Sequence, residues 1–323
     1  MAGGGRGGNE VLVLGAGVIG LTTAIVAAEG GHQVTVWAAD VPARTTSRVA
    51  GAIWKPYLTG GPGVAEWAAT TFGVLSDHAA IAGAGVRLFP LLEAAPTPIE
   101  LPGWAAVAGA ERLAPEELLP GWAGGFRCVV PVVDMGRYLP YLAGRLADAG
   151  GAVEIHRVGA FTDLGRRSVV VNCTGLGARD LAGDRSLVPI RGQVVVLTNP
   201  GVDACVGDTG CGGVDTYVIA HANTVVVGGT ADADEWSLDP DPATAAAMLA
   251  RARRLVPSLA DAEVVTHRVG LRPFRPSVRL QVDASPPPGI DLLVHDYGHG
   301  GSGVTLSWGC ALAVSRLVDA GPG

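Results

Sequence analysis

Apolar residues along the chain fall into distinct spacings, and each spacing predicts a different element. Val11 to Leu14 is an unbroken apolar run, as expected of a strand buried on both faces, and beyond three spaced glycines Leu21 to Ala28 continues as an Ala-rich helix. Gly30 and Gly31 stop that helix, and Gln33 to Trp37 alternates into a second strand, so a β-α-β unit opens the chain. Glu66 to Asp77 has helical spacing, whereas Phe89 to Gly125 is rich in Pro and Gly and reads as strands and long loops. Behind Asp134 as N-cap, Met135, Tyr138, Leu139, Leu142 and Leu146 form one apolar helix face. Strands at Val153 to Arg157 and Val169 to Gly175 follow, so the strand, helix, strand alternation of the first unit returns.

The second half has a different rhythm. Arg191 to Leu197, Tyr217 to Ala220 and Thr224 to Thr230 are β segments with no helix between them, which is the pattern of an antiparallel sheet. Pro242 to Leu255 reads as a surface helix, Val264 to Leu271 as a strand, and Arg272 to Arg279 as a cation-rich, proline-stiffened edge. From Leu292 a strand, a glycine-rich turn and a helix repeat the design of the opening unit.

Glycine spacing gives the opening unit a candidate chemistry. Gly15, Gly17 and Gly20 stand in G-x-G-x-x-G order between strand and helix: Gly15 permits the tight turn, Gly17 leaves room for a phosphate, and Gly20 lets helix and strand pack. The first helix amides, at Val18 and Ile19, then face the anion. The same stretch lacks charge and approaches the length of a membrane span, but three glycines and two threonines dilute it, and a span is rejected. Asp40 is placed to accept ribose hydroxyls, slightly late after the second strand, with a loop Asp before Pro42 as the structural alternative. Thr45, Thr46, Gly51 and Ala52 suit a backbone held close to a ligand, while Trp54 and Tyr57 read as core aromatics. Thr174 and Gly175 end a strand beside the opening turn. The expected fold class is α/β, with a Rossmann-like domain interleaved with a second, α+β domain built on an antiparallel sheet.

Composition narrows the partners. With 48% hydrophobic and 16% charged residues in 323, the chain buries a substantial core, and a net charge of -7 without a basic run excludes nucleic acid and acidic membrane surfaces as partners. Five cysteines without C-x-x-C spacing suggest neither a metal site nor a disulfide framework, and a cytoplasmic location fits them. Cys205 and Cys211 share one Gly-rich loop and read as unrelated thiols, with pairing left open. Residues 1–8 lack the apolar core of a signal peptide and read as a flexible tail. Arg272, Arg275 and Arg279 need anions, for which surface carboxylates are the ordinary partners. His299, between glycines, is either an acid or base or a hydrogen-bonded loop residue. A helix opening at Gly303 would stabilise negative charge, such as that of a reduced isoalloxazine ring.

In order along the chain, Gly15-Ala16-Gly17-Val18-Ile19-Gly20, Thr45-Thr46, Val49 to Tyr57, Val171 to Gly175, Arg191-Gly192-Gln193, Gly270-Leu271-Arg272-Pro273-Phe274 and His295 to Gly301 resemble the motifs of the D-amino-acid oxidase family of FAD enzymes. The resemblance implies an FAD-binding domain from residues 9–59, 131–181 and 290–320, interleaved with a substrate domain from 60–130 and 182–289. It implies that Arg272 clamps the substrate carboxylate, Tyr217 supports it, and the Gly301 carbonyl accepts from the amine. Ile53 and Ile219 would wall the side-chain pocket, and Lys55 stands where relatives carry a neutral polar residue. Cofactor contacts carried over are Gly15, Gly17, Val18, Ile19, Gly20, Asp40, Thr45, Thr46, Gly51, Ala52, Val158, Thr174, Gly175, Gly298, Gly300, Gly301, Ser302, Gly303, Val304 and Thr305. Gly213 falls where animal members have a lid tyrosine, so an open pocket is expected.

The implied reaction oxidises D-amino acids with neutral side chains, passing the α-hydrogen as hydride to flavin N5 and yielding 2-oxo acids, ammonia and hydrogen peroxide. Its partners are a D-amino acid and molecular oxygen, and a homodimer is left open. The rivals are an oxidase of D-aspartate or D-glutamate, in which Lys55 pairs with the substrate side chain, a flavin dehydrogenase passing electrons to a carrier, and a flavin-binding protein without catalysis.

Overall fold

The computed structural model describes residues 8–118, 121–209 and 215–321. The opening pattern becomes β1 (Glu10–Leu14), α1 (Val18–Glu29) and β2 (Gln33–Ala38), and α2 (Val64–His78) follows. Then come β3 (Val86–Ala95), α3 (Gly103–Val107), β4 (Glu111–Arg112), β5 (Gly124–Val133) and α4 (Met135–Asp148). The middle of the chain forms β6 (Ala152–Ile155), β7 (Arg167–Asn172), α5 (Ala178–Leu181), β8 (Val188–Thr198), β9 (Cys205–Asp208) and β10 (Thr216–Ala220). The last part gives β11 (Thr224–Gly228), β12 (Asp232–Ala233), α6 (Pro242–Leu255), β13 (Val264–Val282), β14 (Ile290–His299) and α7 (Gly303–Ala320). Asp134 caps α4 as expected, its Oδ1 accepting from Gly136 N at 2.8 Å, and the five apolar residues of that face are buried.

All the strands join one sheet, in the order β4-β5-β3-β9-β10-β11-β8-β13-β14-β7-β1-β2-β6, with β12 on β8. From β14 to β6 the pairs are parallel, and α1 and α7 pack against each other beside them. On the other side of β14 the pairing is antiparallel, except where β3 runs parallel to β9. The joint is the antiparallel pair β13 and β14.

One expectation is corrected here. Arg272 to Arg279 is no edge: β13 runs 19 residues without ending and lies between β8 and β14. Its ladder to β14 breaks between Phe274 and Arg279, and that break takes in Pro276, which has no N–H to give. Residues 1–7, Cys211 and Gly213 lie outside the described residues, and with them most of the tail, the Cys205 pairing and the lid. Cys128, Cys173, Cys205 and Cys310 are buried thiols. Among the described residues no helix is long and apolar enough to cross a membrane.

A buried polar knot ties α2, α4 and α7 together. Arg145 Nη1 lies 3.0 Å from His78 Nε2 and can only donate, so Nε2 offers its lone pair and Nδ1 holds the proton. Nδ1 then donates to Tyr138 Oη at 3.1 Å, which also accepts from Trp308 Nε1 at 2.8 Å. Arg145 forks onto Glu29 of α1 at 2.7 and 2.9 Å. Burial and then Arg145 push the His78 imidazole down to about 4. Close by, α7 crosses α2 with Gly309 pressed on the Trp67 backbone and donating to Thr71 Oγ1 at 2.9 Å.

Both features give measurable consequences. Between about pH 6.5 and about 4 the unfolded chain binds a proton at His78 that the folded one refuses, so stability falls as pH drops through that window. Thermal melts across it should show a shallower pH slope in His78→Gln than in the parent, and an equal slope would remove His78 as the cause. A methyl at residue 309 has only backbone to push against, so Gly309→Ala should destabilise by about 1 to 3 kcal/mol in denaturant titrations.

Candidate active site

A cleft of about 1340 Å³ crosses the carboxyl ends of β1 and β7 and runs on to the antiparallel sheet. Its first part is made by the glycine turn. Gly15 sits at φ +108°, and a Cβ there would stand 2.5 Å from the Cys173 carbonyl. Gly17, Val18 and Ile19 line the cleft at the start of α1, where Val18 N donates to Ser47 Oγ at 2.9 Å. Asp40 lies on the rim, its Oδ1 accepting from Val41 N at 2.8 Å and its Oδ2 3.6 Å from Arg44, so loop partners and an open side coexist. Thr45, Thr46, Gly51, Ala52, Val158, Thr174 and Gly175 complete this stretch. Asn172 Oδ1 holds Thr174 in place, accepting from its hydroxyl at 2.7 Å and its amide at 3.2 Å.

The second glycine turn closes the far side. Gly300 N donates to the Pro273 carbonyl at 2.9 Å, which fixes the turn to β13 one residue from Arg272. Gly300, Gly301, Gly303, Val304 and Thr305 line the cleft. Three residues expected at the cofactor stand behind the wall instead. Gly20 packs on Gly15, Gly298 packs on Arg275, and Ser302 spends its hydroxyl on the Tyr57 backbone, accepting at 2.7 Å and donating at 2.9 Å. Their small or hydroxylated side chains serve packing there. His299 is buried with Nε2 3.1 Å from Asp296 Oδ1, so its neighbour is a buried carboxylate.

Arg272 reaches the cleft from β13 with its guanidinium laid against Gly192, where a Cβ would collide with it. Nη1 donates to the Thr230 carbonyl at 2.9 Å, and the group stands 5.8 Å above the Tyr57 ring. Tyr217 lies beside it in a slot floored by Gly228 and Gly229. Burial raises the Tyr217 phenol while Arg272 and its hydrogen bond pull it back, so the phenol stays neutral and offers a proton. Tyr57 is raised by burial and opposed by Arg272 in the same way.

The three arginines have separate fates. Arg275 pairs with Asp184 at 3.0 Å, and Arg279 lies 3.7 Å from Asp283 and donates to Tyr297 Oη at 2.6 Å. Burial works against the Asp184 carboxylate, yet hydrogen bonds from Ser186, Tyr297 and Arg275 hold it down at about 2. Among the described residues no carboxylate neutralises Arg272. A half-buried cation that faces a cleft without an ion-pair partner can take a carboxylate.

Ile53 and Ile219 line the cleft near this clamp, and so does Lys55. Lys55 Nζ donates to Glu93 Oε1 at 2.7 Å, and Thr209 Oγ1 stands 3.4 Å from Oε2. The sequence singles out none of Glu93, Gly228, Gly229 and Thr230, gives Gly192 no role beyond the Arg191-Gly192-Gln193 motif, and offers Tyr57 as a core aromatic; Trp54 is core and donates to the Ala68 carbonyl at 2.9 Å. The signal for Glu93 was a lone carboxylate within Leu88 to Ala95, an otherwise apolar strand.

The cleft is long, bordered by two helix starts and two glycine turns, and it fits an extended dinucleotide with Arg272 at one end. Comparisons with known proteins agree. The family model described as FAD dependent oxidoreductase matches residues 10–317. A D-amino-acid oxidase of Rubrobacter xylanophilus is 46% identical over 96% of each chain, and a D-aspartate oxidase of Homo sapiens is 34% identical over 96% of this chain and 94% of its own. The glycine oxidase of Geobacillus kaustophilus shares the fold, with TM-score 0.79 at 20% identity over 98% of this chain and 96% of its own. With its cleft, its two glycine turns and a family match over nearly its whole length, the chain belongs to the FAD dependent oxidoreductases.

Proposed function

We propose that this chain is a D-amino-acid oxidase, and that Arg272, cationic and without a counter-ion in the cleft, is the group that fixes the substrate. The identity of 46% and 44% to D-amino-acid oxidases of Rubrobacter xylanophilus and Streptomyces coelicolor supports the reading. FAD bound here would supply the two-electron acceptor, with molecular oxygen as the final oxidant and hydrogen peroxide as its product. The residues around it do the rest. Arg272 forks onto the planar carboxylate, and the neutral Tyr217 phenol donates a further hydrogen bond to it. The Gly301 carbonyl accepts from the amine, so two ends of the substrate are held and the α-hydrogen has one direction left. Held this way, one enantiomer alone presents that hydrogen to the cofactor.

The cofactor side draws on Gly15, Gly17 and Ile19 for the phosphates, with Val18 lining the turn while its N–H is held by Ser47, on Asp40 for the ribose, and on Gly303, Val304 and Thr305 at the start of α7 for negative charge on the ring. In this reading, residues 9–59, 131–181 and 290–320 form the FAD-binding part and 60–130 and 182–289 the substrate part. They meet at β13 and β14. Cleft-lining Ile53 and Ile219 favour apolar side chains.

Peroxide release by the purified yellow protein against panels of D- and L-amino acids tests the proposal. Turnover of D-isomers is expected, and preference for L-isomers would overturn it. Arg272→Ala should raise KM and lower kcat/KM by the equivalent of about 2 to 5 kcal/mol, as for loss of a buried charged pair. Tyr217→Phe loses one hydrogen bond to a charged carboxylate and should cost about 1.5 to 3 kcal/mol in the same measurement.

A further inference from the structure

The strands place a carboxylate in line with the clamp. Across β3, β9, β10 and β11, the paired residues Glu93, Gly207, Tyr217 and Gly228 form one row. Paired residues share a face, so Glu93 and Tyr217 project the same way, two strand spacings or about 10 Å apart, over the bare backbone of Gly207. A Cβ at Gly207 would strike the Glu93 carboxylate, so the glycine is what admits it. A substrate held at Tyr217 and Arg272 would extend its side chain along that row.

We propose that the Lys55 and Glu93 ion pair selects the substrate side chain, admitting neutral and cationic ones and refusing acidic ones. The inference rests on the D-amino-acid oxidase reading and assigns the far end of the same site. Its physical basis is an asymmetry between the partners. The Glu93 side chain is 7% exposed and the Lys55 side chain 28%. Thr209 Oγ1, at 3.4 Å, is a poor second donor, so Glu93 depends on a cation. Apart from the pair itself, Lys55 is held through its backbone, to Thr305 Oγ1 at 3.3 and 3.1 Å, so its ammonium is free to turn toward water once another cation takes its place at Glu93.

An acidic side chain entering here meets a buried carboxylate, and it gains Lys55 only by stripping Glu93 of its partner. A cationic side chain takes the place of the more exposed ammonium. Neutral side chains leave the pair intact and pack beside Ile53 and Ile219. Lys55 therefore does not stand ready for a substrate carboxylate, as it would in a D-aspartate oxidase.

The test uses the FAD-loaded enzyme, Glu93→Gln, Lys55→Met and the double variant, with kcat/KM for D-glutamate and D-arginine each taken relative to D-methionine. Glu93→Gln should raise the D-glutamate ratio by about tenfold or more, Lys55→Met should raise the D-arginine ratio by a similar factor, and the double variant should lose both gains. A readout without turnover accompanies it: flavin absorbance titrated with glutarate and with pentanoate. Glu93→Gln should tighten glutarate relative to pentanoate by about tenfold. Ratios and relative affinities unchanged in Glu93→Gln would overturn the selector while oxidation of D-methionine by the parent upholds the function. Absence of D-methionine oxidation in the parent would sink the function, and the titrations would still decide whether the pair excludes acids.

Discussion

The structure depends on the seam between β13 and β14. A parallel sheet ends in carboxyl-edge turns that suit a cofactor, and an antiparallel sheet offers a broad face that suits a substrate. Here the two are one hydrogen-bonded surface, joined by a strand pair whose register sets Phe274 opposite His299. That register carries Arg272 to one wall of the cleft and the glycine turn to the other. The bond from Gly300 N to the Pro273 carbonyl, at 2.9 Å, locks the spacing between them. A slip of one residue would turn Arg272 to the opposite face of the sheet.

Around the seam, charge is handled in two ways. Arg275 and Arg279 are matched by Asp184 and Asp283 and tie β13 to its surroundings. Arg272 is given carbonyl and phenol oxygens only, which orient a guanidinium without neutralising it. A carboxylate arriving from water therefore finds a preorganised cation that has already lost part of its hydration. Lys55 and Glu93 follow the matched pattern inside the same cleft, a cation and an anion held together at 2.7 Å. In the proposed function, the contrast between a matched pair and an unmatched arginine distinguishes the end that would fix the substrate from the end that would sort it.

Close approach of backbones makes this possible. Bare positions at Gly192, Gly228 and Gly229 let the Arg272 and Tyr217 side chains lie flat on the sheet. Elsewhere the sheet is held from behind by the helices, where His78, Tyr138, Arg145 and Trp308 bond to one another in a knot. The helical side of the molecule is thus tied by polar groups that bond to one another, and the cleft side carries an arginine that is hydrogen-bonded but not ion-paired.

Much of the frame was legible in the sequence. Apolar runs, stop glycines and the Asp134 cap depend on neighbours a few residues away, so β1, α1, β2, α4 and α6 follow from local chemistry. The G-x-G-x-x-G spacing predicts the turn between β1 and α1 for the same reason, and the motif around Arg272 singles out the arginine that lines the cleft. Tertiary structure alone decided what crosses strands. Arg272 to Arg279 reads locally as an edge because of its prolines, but pairing on both sides makes it the centre of the sheet. Glu93 and Lys55 are 38 residues apart, and nothing in either segment announces the other. Which arginine lacks a carboxylate, and which glycine makes room for it, are properties of register between distant strands. Sequence sets each strand's faces, but only the assembled sheet decides which faces meet.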